Sequence, residues 1–270
     1  MKRYSPTVLR TVLTHPGSAL DALTLPRRLA RELRTDRAQL DAWYHDLLET
    51  DRLPSVLSDR WRAVSGTGLA DYPSGSTIGP KNEVLYLLVR ALQPMTVVET
   101  GVSYGFSTAY LLQGLEDNHA GVLHSIDLPN LDPSGYVNPD GVQDHSHVRA
   151  ASETGSVIPP GLRARWKLTL GPSGAELEPL LDRVGPIELF FHDSEHSFAN
   201  MSREYRLAWP HLAPGGYVAS DDVDANAAFD AFCTEVDVRP FTWLGRGAVR
   251  KPPPSAPVAS PRPVARPAPA

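Results

Sequence analysis

The stretch MTVVETGVSYGFSTAYLLQGL, residues 95–115, decides how the rest of the chain is read. An apolar run at 95–98 ends on an acid, Glu99. Glycines stand at 101 and 105, where a backbone must turn sharply. From 107 to 115 the apolar residues recur at helical spacing. The unit is strand, glycine turn, helix, and related units follow along the chain. GVLHSID (121–127) and WKLTLG (166–171) read as strands, the latter followed by the helix AELEPLLDRV (175–184). IELFFHD (187–193) is followed by the helix NMSREYRLAWPHL (200–212). GGYVASDD (215–222) is followed by the helix AAFDAFCTEV (227–236). Alternation of this kind predicts a mostly parallel α/β sheet with helices on both faces. The continuous apolar strands agree, since parallel strands are buried on both sides.

Upstream, 1–60 reads as helical and 81–92 as a further helix, with a loop rich in Gly, Ser and Pro at 66–80 between them. Downstream, 251–270 holds 8 of the 26 prolines, too many for helix or sheet, and reads as a disordered tail. The expected organisation is a helical extension over 1–65, one domain over 66–250, and the tail. With 270 residues, 41% hydrophobic and a net charge of −5, the chain suits a globular protein and gives no sign of a nucleic-acid or anionic-membrane partner. The single cysteine, Cys233, excludes an internal disulfide. No apolar run reaches membrane-spanning length and the basic N-terminus lacks an apolar leader core, which predicts a soluble, cytoplasmic protein. Heavy use of Ala, Pro and Arg suggests a GC-rich bacterial genome.

Ligands of open α/β sheets bind outside the carboxyl ends of the strands. Here those ends carry Glu99, Asp127, Gly171 to Ser173, His192 with Asp193, and Asp221 with Asp222. Carboxylates concentrated there need a cation, a donor or a sugar hydroxyl. The glycine turn matches neither the dinucleotide GxGxxG pattern nor a phosphate-binding loop. Glu99 would repel a pyrophosphate but suits a cationic amino group, and Asp127 suits ribose hydroxyls. A cofactor bearing both is S-adenosylmethionine.

The motifs VVETGVSYGFST, LHSIDLP, LTLGPSGAELEPLL and FFHDSEHSFANMSREYRLAWPHLAPGGYVASDDV, in this order, resemble the class I S-adenosylmethionine-dependent methyltransferases of family 24 type, related to catechol and macrolide-sugar O-methyltransferases. The resemblance implies a Rossmann-like, mostly parallel seven-stranded sheet and methyl transfer to a hydroxyl of a specialised metabolite or sugar. It implies cofactor contacts from Glu99, Gly101, Ser103, Gly105, Ser107, Asp127, Gly171, Ser173 and His192. Pro172 stands where many relatives have an acid. It further implies Mg²⁺ held by Asp193, Asp221 and Asp222, with His196 and Asp193 as the catalytic pair and His196 as general base. Relatives are often dimers or larger, so a homo-oligomer is expected.

Other readings of these residues stay open. Asp193 is either a metal ligand or, without a metal, a cap or cofactor contact; His196 is either a base or an orienter of Asp193; His192 either touches the cofactor or is simply buried. His145 and His147 read as loop or substrate contacts. The long connection over 129–160, with the 66–80 loop, is expected to cover the substrate. Two other functions compete: a component like that of cephalosporin 7-hydroxylation on the same fold, and a non-catalytic cofactor-binding module.

Overall fold

A computed structural model describes residues 16–50, 52–68, 78–129, 136–137, 139–141, 143–144, 148 and 150–253. The tail beyond 253, the stretch 69–77, and His145 and His147 lie outside the described residues.

The helices are α1 (Pro16–Glu32), α2 (Arg37–His45), α3 (Leu53–Ser65), α4 (Pro80–Leu92), α5 (Phe106–Asp117), α6 (Ser173–Val184), α7 (Phe198–His211) and α8 (Ala228–Glu235). The strands are β1 (Thr96–Thr100), β2 (Val122–Asp127), β3 (Tyr136–Val137), β4 (Gln143–Asp144), β5 (Trp166–Leu170), β6 (Ile187–His192), β7 (Leu212–Ser220), β8 (Phe241–Trp243) and β9 (Arg246–Arg250). Seven strands form one sheet in the order β5-β2-β1-β6-β7-β9-β8. The five inherited from the alternating units run parallel, and β9 is antiparallel to both its neighbours. This is the Rossmann-like methyltransferase sheet expected from the sequence.

Strand alternation sends successive residues to opposite faces. Val97, Leu189 and Phe191 pack against the helices that precede β2, in one cluster with Leu111 and Leu112 of α5. Val98, Phe190 and Val218 pack against Leu177 and Leu181 of α6, Met201 and Tyr205 of α7, and Phe232 of α8. The α1–α3 segment supplies Leu25, Leu29, Leu40, Leu53, Leu57 and Trp61 to the first of these cores. The hydroxyl of Tyr44 on α2 donates to Glu83 on α4 at 2.6 Å. The N-terminal helices therefore share a continuous core with the sheet.

Two local expectations need correction. Pattern reading alone found five strands, because β8 and β9 are short and lie in FTWLGRGAVR. They form a hairpin whose two loop residues, Leu244 and Gly245, both have positive φ (47° and 79°), the geometry a tight hairpin requires. The 129–160 connection is also not all cover. Val148, Val157 and Ile158 are fully buried, and Gly155 and Val157 donate backbone N–H groups to the carbonyls of Ser103 and Tyr104. Apolar residues at 157 and 158 make this end part of the core.

Candidate active site

β1 lies between β2 and β6, so the chain leaves it in opposite directions and opens a crevice at its carboxyl end. The expected cofactor residues converge here. Gly101 has φ of 85°, and a Cβ there would sit 1.9 Å from the carbonyl oxygen of Asp193. Gly105 has φ of 95°, and a Cβ would meet Ile158 and Gly155 within 3 Å. Both glycines are thus required by close protein packing. Ser103, also at positive φ (52°), holds a buried Oγ with no hydrogen-bond partner among the described residues.

Asp127, at the tip of β2, clamps the turn. Its Oδ1 accepts the backbone N–H groups of Val102 at 2.8 Å and Ser103 at 3.2 Å, and its Oδ2 the Thr154 hydroxyl at 3.2 Å. Burial raises its carboxyl above the usual range, against the pull of those donors. Beside it, Leu128 and Leu170 stand 58% and 46% exposed at the tips of neighbouring strands. Gly171 donates its N–H to the Asp127 carbonyl, and the Ser173 hydroxyl accepts from Arg203 at 3.2 Å.

Glu99 is fully buried inside three hydroxyls: Ser125 at 2.7 Å, Thr108 at 3.0 Å and Ser107 at 3.2 Å. Burial pushes its carboxyl up to about 7, since the hydroxyls offset only part of the desolvation. Ser107, expected at a cofactor carboxylate, is turned onto Glu99 instead.

The opposite face of the same strand ends carries a second network. His192 is fully buried and its Nδ1 lies 2.8 Å from Glu204 Oε2, while its Nε2 has no partner among the described residues. Glu204, on α7, also receives Thr100 Oγ1 at 2.5 Å, Ser194 Oγ at 2.9 Å and Asn200 Nδ2 at 3.2 Å. Burial alone would raise the Glu204 carboxyl, but His192 and the hydroxyl donors override it and hold it down to about 2. His196 is on this side, its ring edge-to-face with His192 at 5.3 Å, and its carbonyl accepts from Asn226 at 2.9 Å.

The expected metal acids do come together, but not around a metal. Lys81 Nζ donates to Asp221 Oδ1 at 2.7 Å and to Asp222 Oδ1 at 3.1 Å. Arg246 Nε reaches the same Asp221 Oδ1 at 2.9 Å, and its Nη2 is 3.9 Å from Asp193 Oδ2. Burial and the neighbouring Asp221 carboxylate raise the Asp193 carboxyl well above the usual range. Against its own burial, Arg246 and Lys81 hold Asp221 far below it. Two protein cations already pair with the acids, so Asp193, Asp221 and Asp222 do not fit Mg²⁺. Among the described residues no group of three or more His, Cys, Asp or Glu side chains is arranged to hold a metal. Of the expected catalytic pair, Asp193 lies beside Arg246 and the His196 ring packs on His192.

Sequence reasoning missed Lys81, Glu204 and Arg246. Glu204 had a signal: it falls among the buried α7 positions Met201, Tyr205 and Ala208, where an unpaired acid is costly. Lys81 and Arg246 had none, being a helix-start lysine and one arginine among many.

The seven-stranded, mostly parallel sheet is the Rossmann-like fold of methyltransferases. Residues 98–223 match the family model described as a methyltransferase domain. Among solved structures it is similar to an O-methyltransferase from Bacillus cereus in complex with SAH, at 17% identity over 73% of this chain and 91% of that one, with a TM-score of 0.50. It is similar also to the SAH-bound methyltransferase PaMTH1 of Podospora anserina (15% identity, 73% and 87% coverage, TM-score 0.52). A third is the O-methyltransferase TomG of Streptomyces achromogenes, involved in tomaymycin synthesis and solved with SAM (19% identity, 79% and 96% coverage, TM-score 0.51). At these identities the likeness speaks for the fold. No curated protein matches the chain. No helix among the described residues is long and apolar enough to cross a membrane.

Proposed function

We propose that the chain binds S-adenosylmethionine across the tips of β1, β2 and β5 and transfers its methyl group to a hydroxyl oxygen of a small molecule. The observation that carries this reading is the buried Ser103 hydroxyl, which lacks a partner and stands on the turn clamped by Asp127. A buried hydroxyl left unpaired is costly unless a ligand completes it. The residues around it suit the parts of the cofactor. Asp127 keeps lone pairs for ribose hydroxyls, and the bare faces of Leu128 and Leu170 suit the flat adenine. The O-methyltransferases from Bacillus cereus and Streptomyces achromogenes, solved with SAH and SAM, support oxygen as the acceptor atom.

In the transfer, an acceptor oxygen attacks the methyl carbon, the carbon–sulfur bond breaks, and its electron pair returns to sulfur. The sulfonium becomes a neutral thioether. The hydroxyl proton passes to a base, and His196 on the loop after β6 is the residue we assign to it. The acceptor sits over the tips of β6 and β7.

Calorimetric titration of S-adenosylmethionine tests the reading. Micromolar binding to the wild type, weakened about tenfold or more in Asp127→Asn, is the expected result. An absence of binding to the wild type sinks it.

A further inference from the structure

We propose that the Lys81 ammonium fills the position a divalent metal would take at the acceptor end of the crevice, so that the site works without a metal. Its role toward the acceptor rests on the methyltransferase reading above.

The charges at the tips of β6 and β7 decide the matter. Three carboxylates, those of Asp193, Asp221 and Asp222, face the Lys81 ammonium and the Arg246 guanidinium. Each cation lies no further than 3.9 Å from two of the acids, so the counter-charge a metal would bring is already largely in place. A divalent ion would enter within a few ångströms of both cations. It would also meet the N-terminal end of α4, which carries Lys81 and bears a partial positive charge. Asp221 Oδ1, its best ligand, already accepts two N–H donors.

Lys81 is held by its own backbone as well as by its tip. Its carbonyl accepts from Arg246 Nη1 at 2.9 Å and from Trp243 Nε1 at 3.1 Å. Its side chain is 18% exposed, so it is not sealed in the core. Of its three N–H donors, two go to Asp221 and Asp222. The third is left to serve an acceptor oxygen, whose negative charge grows as its proton leaves. The ammonium donates a hydrogen bond there and keeps its own proton. It stabilises the developing charge as a fixed cation does.

The experiment titrates Mn²⁺ and Mg²⁺, followed by electron paramagnetic resonance and calorimetry, into the full chain and into Lys81→Met and Lys81→Gln. S-adenosylmethionine is titrated into all three in EDTA. The wild type should show no saturable metal site at millimolar concentrations. At least one neutral variant that keeps its cooperative melt should acquire one, about tenfold or more tighter, as Asp221 and Asp222 are released. Saturable sub-millimolar metal binding by the wild type overturns the proposal. So does the absence of metal binding from every neutral variant that keeps its cooperative melt. Failure of the wild type to bind the cofactor in EDTA would count against the methyltransferase reading and leave the metal result to stand separately.

Discussion

Arg246 donates from Nε to Asp221 Oδ1 at 2.9 Å, joining the first residue of β9 to the tip of β7. The guanidinium is 2% exposed, lies over the Phe191 ring at 5.0 Å, and also reaches the Asn82 side chain at 2.5 Å. It therefore links the loop after β7, β6 and α4 in one contact.

Removing that cation should be severe. Arg246→Met leaves a buried carboxylate partly uncompensated, which typically costs about 3–5 kcal/mol. Pairing it with Asp221→Asn removes the orphaned charge and should recover part of the loss. Urea unfolding of the two single variants and the double variant gives the coupling directly.

Gly101→Ala should destabilise by about 3 kcal/mol or more, because positive φ and a backbone clash act together. Gly174→Ala is the control. It lies in α6 with no neighbour nearer than 3.7 Å to its Cβ, and should be neutral or gain up to about 1 kcal/mol. Thermal melts of both distinguish a tight turn from a general intolerance of alanine.

Glu204→Gln should lower stability at neutral pH by about 3 kcal/mol, since His192, Thr100, Ser194 and Asn200 lose a charged acceptor. The sign with pH follows from a carboxyl depressed to about 2 from 4.5. Its contribution is present above pH 4.5 and fades as pH falls toward 2. The variant should therefore lose less stability than the wild type across that acid window, measured by denaturation at fixed pH steps.

Glu83 behaves in the opposite sense. Burial raises its carboxyl to about 7, partly countered by the Tyr44 hydroxyl. The folded state then holds a proton that the unfolded chain has released, so its contribution is full below 4.5 and lost as pH rises through 7. Glu83→Gln, which still accepts from Tyr44, should remove up to about 3 kcal/mol of that decline between pH 5 and 8. A similar decline should remain from Glu99, whose carboxyl is also raised to about 7. An unchanged pH profile in Glu83→Gln would show that the N-terminal helices do not bury this carboxyl in solution.

The sequence by itself carried the alternation of strands and helices, the glycine turn after β1, and the acids at the strand tips. Those are local matters: period, turn chemistry and the residue that ends an apolar run act within a few positions. It also placed Gly101, Ser103, Gly105, Asp127, His192 and Asp193 in one region, because strand ends of a parallel sheet converge whatever the details. Only the tertiary structure decided what each group faces. Glu99 is wrapped by Ser107, Thr108 and Ser125, Gly101 is required by the backbone of Asp193, and the supposed metal acids are claimed by Lys81 and Arg246. Arg246 and the Lys81 carbonyl it holds are 165 positions apart. A charge pairing over such a distance leaves no periodicity in the chain. It exists because β9 inserts beside β7 and brings its first residue under α4, and the acids' need for a counter-charge is met by whichever cation the topology delivers there.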